Sequence, residues 1–572
     1  MELIRNSKII DKKFREFFIP TILTAMSSSL IVMADSILVG NMLGANEFAA
    51  VNCCIPIMQV YGMISELLGL GGSTAISVAR GRRENEKANQ IFTATLLLFT
   101  AFCLLLVVPQ AFASPLFCRL LTQEKTLYPI VYEYYGVLIW TAPFAIFVQT
   151  MEYIIRAEGK PKMASFITVL ANVINIVLDI VFMGPMKMGI KGAPLASLFG
   201  FGVGAIVSLC TLLFGNRTLQ LCFKKLWNCC REIIKTGMPA ALGVGLIAIK
   251  LLCLNTIVMT TAGNNGMVAF SVCLETLSLC SMFITASAQT MMPILGIYFG
   301  EKDWKGVRMV LKRTFRVMII CAGLLTLFLE AVPGAILFLY GVKEAEAVAV
   351  AVPALRIYAI SLVGVSVSFL MMYYYMTVEK QNLANMISII NGLVIIIPCA
   401  YVLSKVMGIL GVWISFPIAE LITLLYILFV AKGKIRNVYQ ISDEEPAILD
   451  ISLLGKEDKG AETSKQVMDF LEEHRMEKKL SNKIGIAIEE MVENIYRYSG
   501  EKKVHIDLRL VADTEDVVLS FCDDGPEFDP TTYQPEEKEE FVIDNIMMLK
   551  AVSKKIEYQR VIGLNKTIVK IG

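Results

Sequence analysis

Apolar residues dominate the first three quarters of the chain in long runs, and only the last quarter alternates. From about residue 17 to 431, runs of twenty or more mostly apolar residues are separated by short polar breaks. A helix needs about 20 such residues to cross a bilayer. The runs near 17–39, 49–79, 91–113, 131–155, 163–184, 190–214, 236–261, 267–299, 315–340, 349–376, 384–404 and 408–431 predict twelve membrane-spanning helices. The second and eighth are long enough to predict tilt or extension past the bilayer. Beyond about 442 the pattern changes. Helical stretches at 461–476 and 480–498 are followed by the strand patterns VHIDLRLVA and DVVLSFCDD, a helix around 541–552, and the strands KKIEYQRVI and KTIVKI. That order predicts helices on one face of a largely antiparallel sheet, an α/β sandwich.

Composition agrees with a polytopic all-α membrane protein. Only 18% of the 572 residues are charged, against about a quarter in a soluble domain. The charges gather after residue 442, as in EEKEE at 536–540, which sets a boundary there. We divide the chain into halves at 1–220 and 221–435 and a tail at 450–572. Lys and Arg crowd alternate loops, beginning with Arg5, Lys8, Lys12 and Lys13, then Arg80, Arg82, Arg83 and Lys87, and later Lys302, Lys305 and Arg308. By the positive-inside rule both termini are expected in the cytoplasm of a bacterial cell, with the chain in its inner membrane. The first residues, MELIRNSKIIDKKFREFF, lack a signal-peptide pattern and read as a short basic leader. Most of the 14 cysteines lie in apolar runs without metal-ligand spacing, and His474 and His505 are the only histidines. They are expected to be small buried hydrophobes in a reducing cell. Nothing points to nucleic acid as a partner, and the bundle is expected to work as a monomer in lipid.

A duplication at an offset of 219 residues organises the first 435. Pro20 falls on Pro239, Gly44 on Gly263, Gly81 on Gly300, Asn172 on Asn391, Gly189 on Gly408 and Gly192 on Gly411. Each half holds six predicted helices, an even number, so both halves share one topology about an axis along the membrane normal. Such halves usually enclose a substrate site and alternate access by rocking.

One half carries polar groups that the other lacks. Asp35 lies in the first span, and Asn172, Asn175 and Asp179 form one face of the fifth, with Ser197 in the sixth. A carboxylate at mid-membrane costs about 2.5–3.5 kcal/mol. At the +219 register Asp35 becomes Leu254, Asn175 becomes Val394, Asp179 becomes Pro398 and Ser197 becomes Phe416. The architecture therefore packs without them, which points to a site for a proton or a sodium ion. Lys250 and Glu275 read as a second-half ion pair or substrate contact. Glu66, Glu152, Arg356 and Glu420 read as helix-end residues or partners of one another. The MMYYYM run at 371–376 suits core or lipid contact, or an adaptable drug cavity.

Pro20, Asp35, Gly40, the RAEGKP at 156–161, the pair Asn175 and Asp179, and GIKGAPLAS at 189–197 together resemble the multidrug and toxic compound extrusion (MATE) family. The resemblance implies a secondary transporter, not an enzyme, exporting small organic, cationic or amphipathic compounds against a proton or sodium gradient. Asp35, Asn175, Asp179 and Ser197 would be its coupling residues, the serine standing where threonine is commoner. A lipid or oligosaccharide flippase, and a membrane-anchored signalling protein that sequesters or phosphorylates a regulator, are the alternatives. The tail resembles the histidine-kinase-like ATPase fold of anti-sigma-factor serine kinases. That resemblance implies Glu490 as base, Asn494 as magnesium ligand, and Asp523 with Gly525 in the loop that reads adenine. ATP and magnesium are thus possible ligands, and a cytoplasmic regulatory protein a possible partner. Two departures weaken the likeness: Arg497-Tyr498 replaces the usual histidine, and the lid glycines fall on Ile543 and Asn545. Only glycine takes positive φ beside a phosphate at no steric cost, so nucleotide binding is expected to be weak.

Overall fold

The computed structural model describes residues 5–214, 219–340, 342, 344–431, 447–454, 459–500, 503–512, 517–532 and 545–572. The chain forms two compact units, Phe14–Ile435 and a second made of Met1–Lys13 with Arg436–Gly572.

The first unit is helical. In chain order it holds α1 (Lys8–Met42, whose first turns belong to the second unit), α2 (Ala45–Gly81), α3 (Asn85–Phe112), α4 (Ser114–Leu121), α5 (Tyr128–Ala157), α6 (Pro161–Met183) and α7 (Gly192–Phe214). It continues with α8 (Leu226–Gly300), α9 (Trp304–Ala331), α10 (Pro333–Leu339), α11 (Ala345–Thr377), α12 (Gln381–Ile389), α13 (Ile396–Met407) and α14 (Ile409–Tyr426). Among the described residues, eleven helical stretches are long and apolar enough to cross a membrane, α12 and α13 counting as one.

The longest of them is two helices in backbone geometry. At about 1.5 Å per residue, the 75 residues of α8 are far too long for one crossing. The helix breaks at Gly263, where φ is 56° and ψ is −143°. Gly263 is the repeat partner of Gly44, which takes φ 125° between α1 and α2. Both halves therefore turn the same corner on a glycine, where a side chain would be strained. The short helices α4 and α10, beginning at Ser114 and Pro333, also sit one repeat apart. The hydropathy pattern missed them because each is under nine residues.

Glycines let α2 and α8 touch backbone to backbone. A Cβ on Gly237 would run into the Leu67 carbonyl, one on Gly81 into that of Ile297, and one on Gly300 into that of Val78. Gly81 and Gly300 are repeat partners set against each other, so the two halves meet where their registers coincide.

The second unit is a five-stranded antiparallel sheet carrying helices. Its elements are β1 (Ala447–Leu454), α15 (Lys459–Glu473), α16 (Lys478–Tyr498), β2 (His505–Ala512), β3 (Val517–Asp523), α17 (Asn545–Val552), β4 (Lys555–Val561) and β5 (Leu564–Ile571). The strand order is β1-β2-β3-β5-β4. Ile506, Leu508, Leu510, Leu519, Phe521, Val569 and Ile571 form a core with Ile484, Ile488 and Met491 of α16. The four predicted strands are present. The fifth, β1, is an addition to the expected strands: AILDISLL pairs with β2 from Ala447↔Ala512 to Leu454↔His505. A single strand after a polar linker has no local partner in the sequence, so its pairing was invisible there.

Candidate functional site

The first-half residues converge. Asn175 and Asp179 lie on the buried face of α6, at 4% and 0% exposure, and Asn172 with them. With the Asn175 amide turned to satisfy both ends, its Nδ2 donates to Asp179 Oδ2 at 3.2 Å, and its Oδ1 accepts from Ser197 Oγ and N, both at 2.8 Å. Asn172 Nδ2 donates to Ser27 Oγ on α1 at 2.9 Å. Asp35, further along α1, comes within hydrogen-bonding reach of Asp179. Two carboxyl groups can hydrogen-bond directly to each other only when one of them carries a proton. Oδ1 of Asp35 and Oδ1 of Asp179 are both buried with no protein partner. Buried polar atoms normally have partners, so both oxygens keep the capacity to accept a further hydrogen bond.

A cavity of about 440 Å³ opens onto this cluster. Asp35, Asn172, Asn175 and Ser197 line it, as do Glu66, Glu152, Tyr153 and Gln289. Here the expectation for two residues is corrected. Glu66 and Glu152 are not helix-end charges but cavity residues joined in a chain of polar contacts. Tyr153 Oη donates to Glu66 Oε1 at 2.8 Å and accepts from Gln289 Nε2 at 3.0 Å. Arg156 donates to Gln289 Oε1 at 3.2 Å and pairs with Glu152, whose Oε2 accepts from Thr168 at 2.9 Å. Gln289 comes from the second half, so this chain joins α5 of one half to α8 of the other. The i,i+4 spacing of Glu152 and Arg156 was the signal available in the sequence.

The second half is arranged otherwise. No ion pair between Lys250 and Glu275 forms among the described residues. Lys250 instead lies under the longer-range influence of the Glu420 charge, with no ion pair between them, and the Glu420 carboxylate accepts from Ser368 at 2.9 Å and Asn391 at 2.6 Å. Glu420 is thus a buried, fully engaged group rather than a helix-end charge. Glu275 lies on a separate cavity with Asn264, Ser271 and Tyr340. Spacing could not reveal this, because Glu275 and Glu420 both sit in apolar helices and only packing chooses Lys250's neighbour. Arg356 faces Glu330 at 3.7 Å. In the MMYYYM run, Met372 through Met376 are buried and belong to the core.

In the second unit Asp523 is 3% exposed and accepts from Gly525 N at 3.0 Å and Asn565 Nδ2 at 2.9 Å. Burial pushes its carboxyl up to about 6, against those two bonds. Asp523 and Gly525 line a space of only about 10 Å³ with Met491, Ile495 and Phe528, room for about one water. Tyr498 stacks on Phe528 at 3.9 Å and closes it. Asn494 is 1% exposed with its Nδ2 unpartnered, but neither it nor Glu490 lines this space. No cluster of three or more His, Cys, Asp or Glu suited to a metal occurs among the described residues. Ile543 lies outside the described residues.

A duplicated bundle of membrane helices, with Asp35 on a cavity and Asp179 buried behind it, fits a secondary transporter. The MatE family model matches residues 20–181 and 239–402, more than half of the chain and twice at the repeat offset. The chain belongs to the MATE family and is a multi-pass membrane transporter rather than an enzyme. It is similar to the multidrug export protein MepA of Staphylococcus haemolyticus, at 23% identity over 429 residues, covering 74% of this chain and 93% of that one. MepA of Staphylococcus saprophyticus is 22% identical over 418 residues, covering 72% and 91%. Among solved structures, an outward-facing multidrug resistance MATE family transporter of the MOP superfamily superposes with a TM-score of 0.71 at 21% identity, covering 75% of this chain and 97% of that one. A MATE crystal structure in a bent conformation gives 0.69 at 22% identity, covering 74% and 95%.

Proposed function

We propose that this chain is an antiporter that exports organic cations or amphipathic compounds, driven by inward movement of protons or sodium ions, from a bacterial inner membrane crossed twelve times with both termini in the cytoplasm. The observation that carries the reading is the Asp35–Asp179 pair, with an orphaned oxygen on each, beside a cavity of about 440 Å³. Two carboxylates, the Asn175 amide and the Ser197 hydroxyl form a hard-oxygen set suited to a proton or to sodium. One inward charge gains about 2.3 kcal/mol per 100 mV, roughly a fifty-fold bias per ion. Cationic substrates are favoured by the lining, which includes Asp35, Glu66 and Glu152 and no Lys or Arg among the described residues. That lining speaks against the flippase reading, which calls for a strongly cationic cavity. The export activity named for the staphylococcal relatives supports the same direction.

The tail acts as a regulatory module of histidine-kinase-like ATPase type. Its order of strands and helices, the EEMVEN motif with Glu490 and Asn494, and Asp523 with Gly525 in one loop support that type. The closed space under Tyr498 and Phe528 supports weak nucleotide binding, which requires that stack to part. Sequestration of a cytoplasmic regulator is the second reading of the tail. Proteoliposomes loaded with a fluorescent organic cation and given separate proton and sodium gradients test the transport reading. Export under one gradient, abolished in Asp35→Asn and Asp179→Asn, is expected; wild-type rates in both variants would overturn the site.

A further inference from the structure

Strand β2 turns Ile506, Leu508 and Leu510 to the helices, so Asp507 and Arg509 point to the other face of the sheet. On β1, Ile451 faces the core, and Asp450 and Ser452 share that second face. In a two-layer domain this face would be open to water. Yet Asp450 is only 7% exposed and Asp507 4%.

The basic leader lies across them. Arg5, itself 4% exposed, brings Nε to 3.2 Å from Asp507 Oδ2 and Nη1 to 3.9 Å from Asp450 Oδ1. Asn6 N donates to Ser452 Oγ at 2.9 Å, and that hydroxyl donates to Asp507 Oδ1 at 2.5 Å. Six residues further on, Lys12 Nζ reaches Asp524 Oδ2 at 2.6 Å, while Asp524 Oδ1 accepts from His505 N at 2.8 Å. Burial pushes the Asp524 carboxyl up, and Lys12 with the His505 amide more than offsets it, leaving it below its ordinary value. Between these contacts Ile9 and Ile10 are each 1% exposed. Buried charges are retained only with partners of this quality, and removing one partner leaves the other uncompensated.

We propose that this outer sheet face is a docking surface for a basic peptide segment, and that its occupant is the chain's own leader, residues 5–12. The leader runs without a break into α1, the helix that carries Asp35. The docked leader therefore gives the tail a grip on the cytoplasmic start of the coupling helix. The far end of the grip, Asp524, follows directly on Asp523 of the closed space under Tyr498. A change in that space and a change in the grip share one turn of backbone.

Hydrogen exchange on the full chain in nanodiscs tests the docking. Arg5→Glu is expected to speed exchange at residues 6–12 and 450–452 at least about tenfold, as release of a local unit does. Asp507→Arg should do the same, and the charge swap Arg5→Glu with Asp507→Arg should restore protection. Strands β3 and β5 report the rest of the sheet and should not change. Unaltered exchange in Arg5→Glu, no rescue by the swap, or loss spreading through β3 and β5 would each overturn the docking. The same variants in proteoliposomes test the grip on α1, an arm that rests on the antiporter reading. Arg5→Glu should change export at least about threefold and the swap should restore it. A leader released by exchange with export unaltered overturns the grip, whereas a wild-type protein that exports nothing counts against the antiporter reading alone.

Discussion

The two halves of the bundle descend from one plan and use their interiors in opposite ways. Where the first half places Asp35 and Ser197, the second places Leu254 and Phe416, both buried. Phe416 meets Tyr358 edge-on at 4.6 Å and Phe270 at 6.4 Å, and Phe270 stacks with Trp413 at 6.2 Å. Aromatic rings thus pack around the second-half position that corresponds to Ser197. The matched asparagines diverge as well: Asn172 bonds a serine of α1, while Asn391 bonds Glu420 from a π-helical stretch, Ile390–Val394. The second half satisfies its buried carboxylate with Ser368 and Asn391, whereas the first leaves oxygens of three carboxylates, Asp35, Glu66 and Asp179, without a protein partner. On the coupling reading proposed above, a site for a mobile ion needs such incomplete satisfaction, because a carboxylate with every partner in place has nothing to gain from a guest.

The sharpest way to break this contrast is to neutralise the open pair. Asp35→Asn or Asp179→Asn should lower gradient-driven export about fifty-fold or more, the bias carried by one coupled charge, with the bundle still folded. Export assays beside size-exclusion profiles check it. Phe416→Ser, which writes the first-half residue into the second half, should cost about 3 kcal/mol of stability by opening a void. Its thermal midpoint should fall while the choice of coupling ion stays the same; a new ion dependence would mean that the halves are interchangeable after all.

In the tail, Asp523→Asn should stabilise the sheet. Burial raises its carboxyl in the folded domain to about 6 from an ordinary value of 3.8. The native state therefore holds a proton that the unfolded chain gives up, and stability falls as pH rises between those values. The amide still accepts from Gly525 and Asn565 and carries no charge. A gain of up to about 3 kcal/mol is expected at pH 8 and none at pH 4, read from exchange of β3. The smallest effect concerns nucleotide. Calorimetry on the full chain should give ATP and ADP similar affinities, each weaker than roughly micromolar. Submicromolar, magnesium-dependent ATP binding would show that the space under Tyr498 opens readily.

The sequence by itself determined what depends on local composition and on register. Length and hydropathy of the apolar runs set the helices, since each must satisfy its own backbone in lipid. The 219-residue offset set their duplication, and the empty matches at Leu254, Val394, Pro398 and Phe416 separated the polar cluster from the plan. Alternation located the tail strands β2 to β5. Tertiary structure alone decided which distant groups meet. Glu66 and Glu152 became cavity residues because α2, α5 and α8 turn those faces together, and Glu420 found Ser368 and Asn391 because packing of α14 against its neighbours sets those partners. Strand β1 and the Arg5 contacts join residues hundreds of positions apart or across an unmarked strand, as with Arg5 and Asp507. Hydropathy records how each residue stands toward its solvent, not which residue stands beside it, so pairing appears only once the chain has closed on itself.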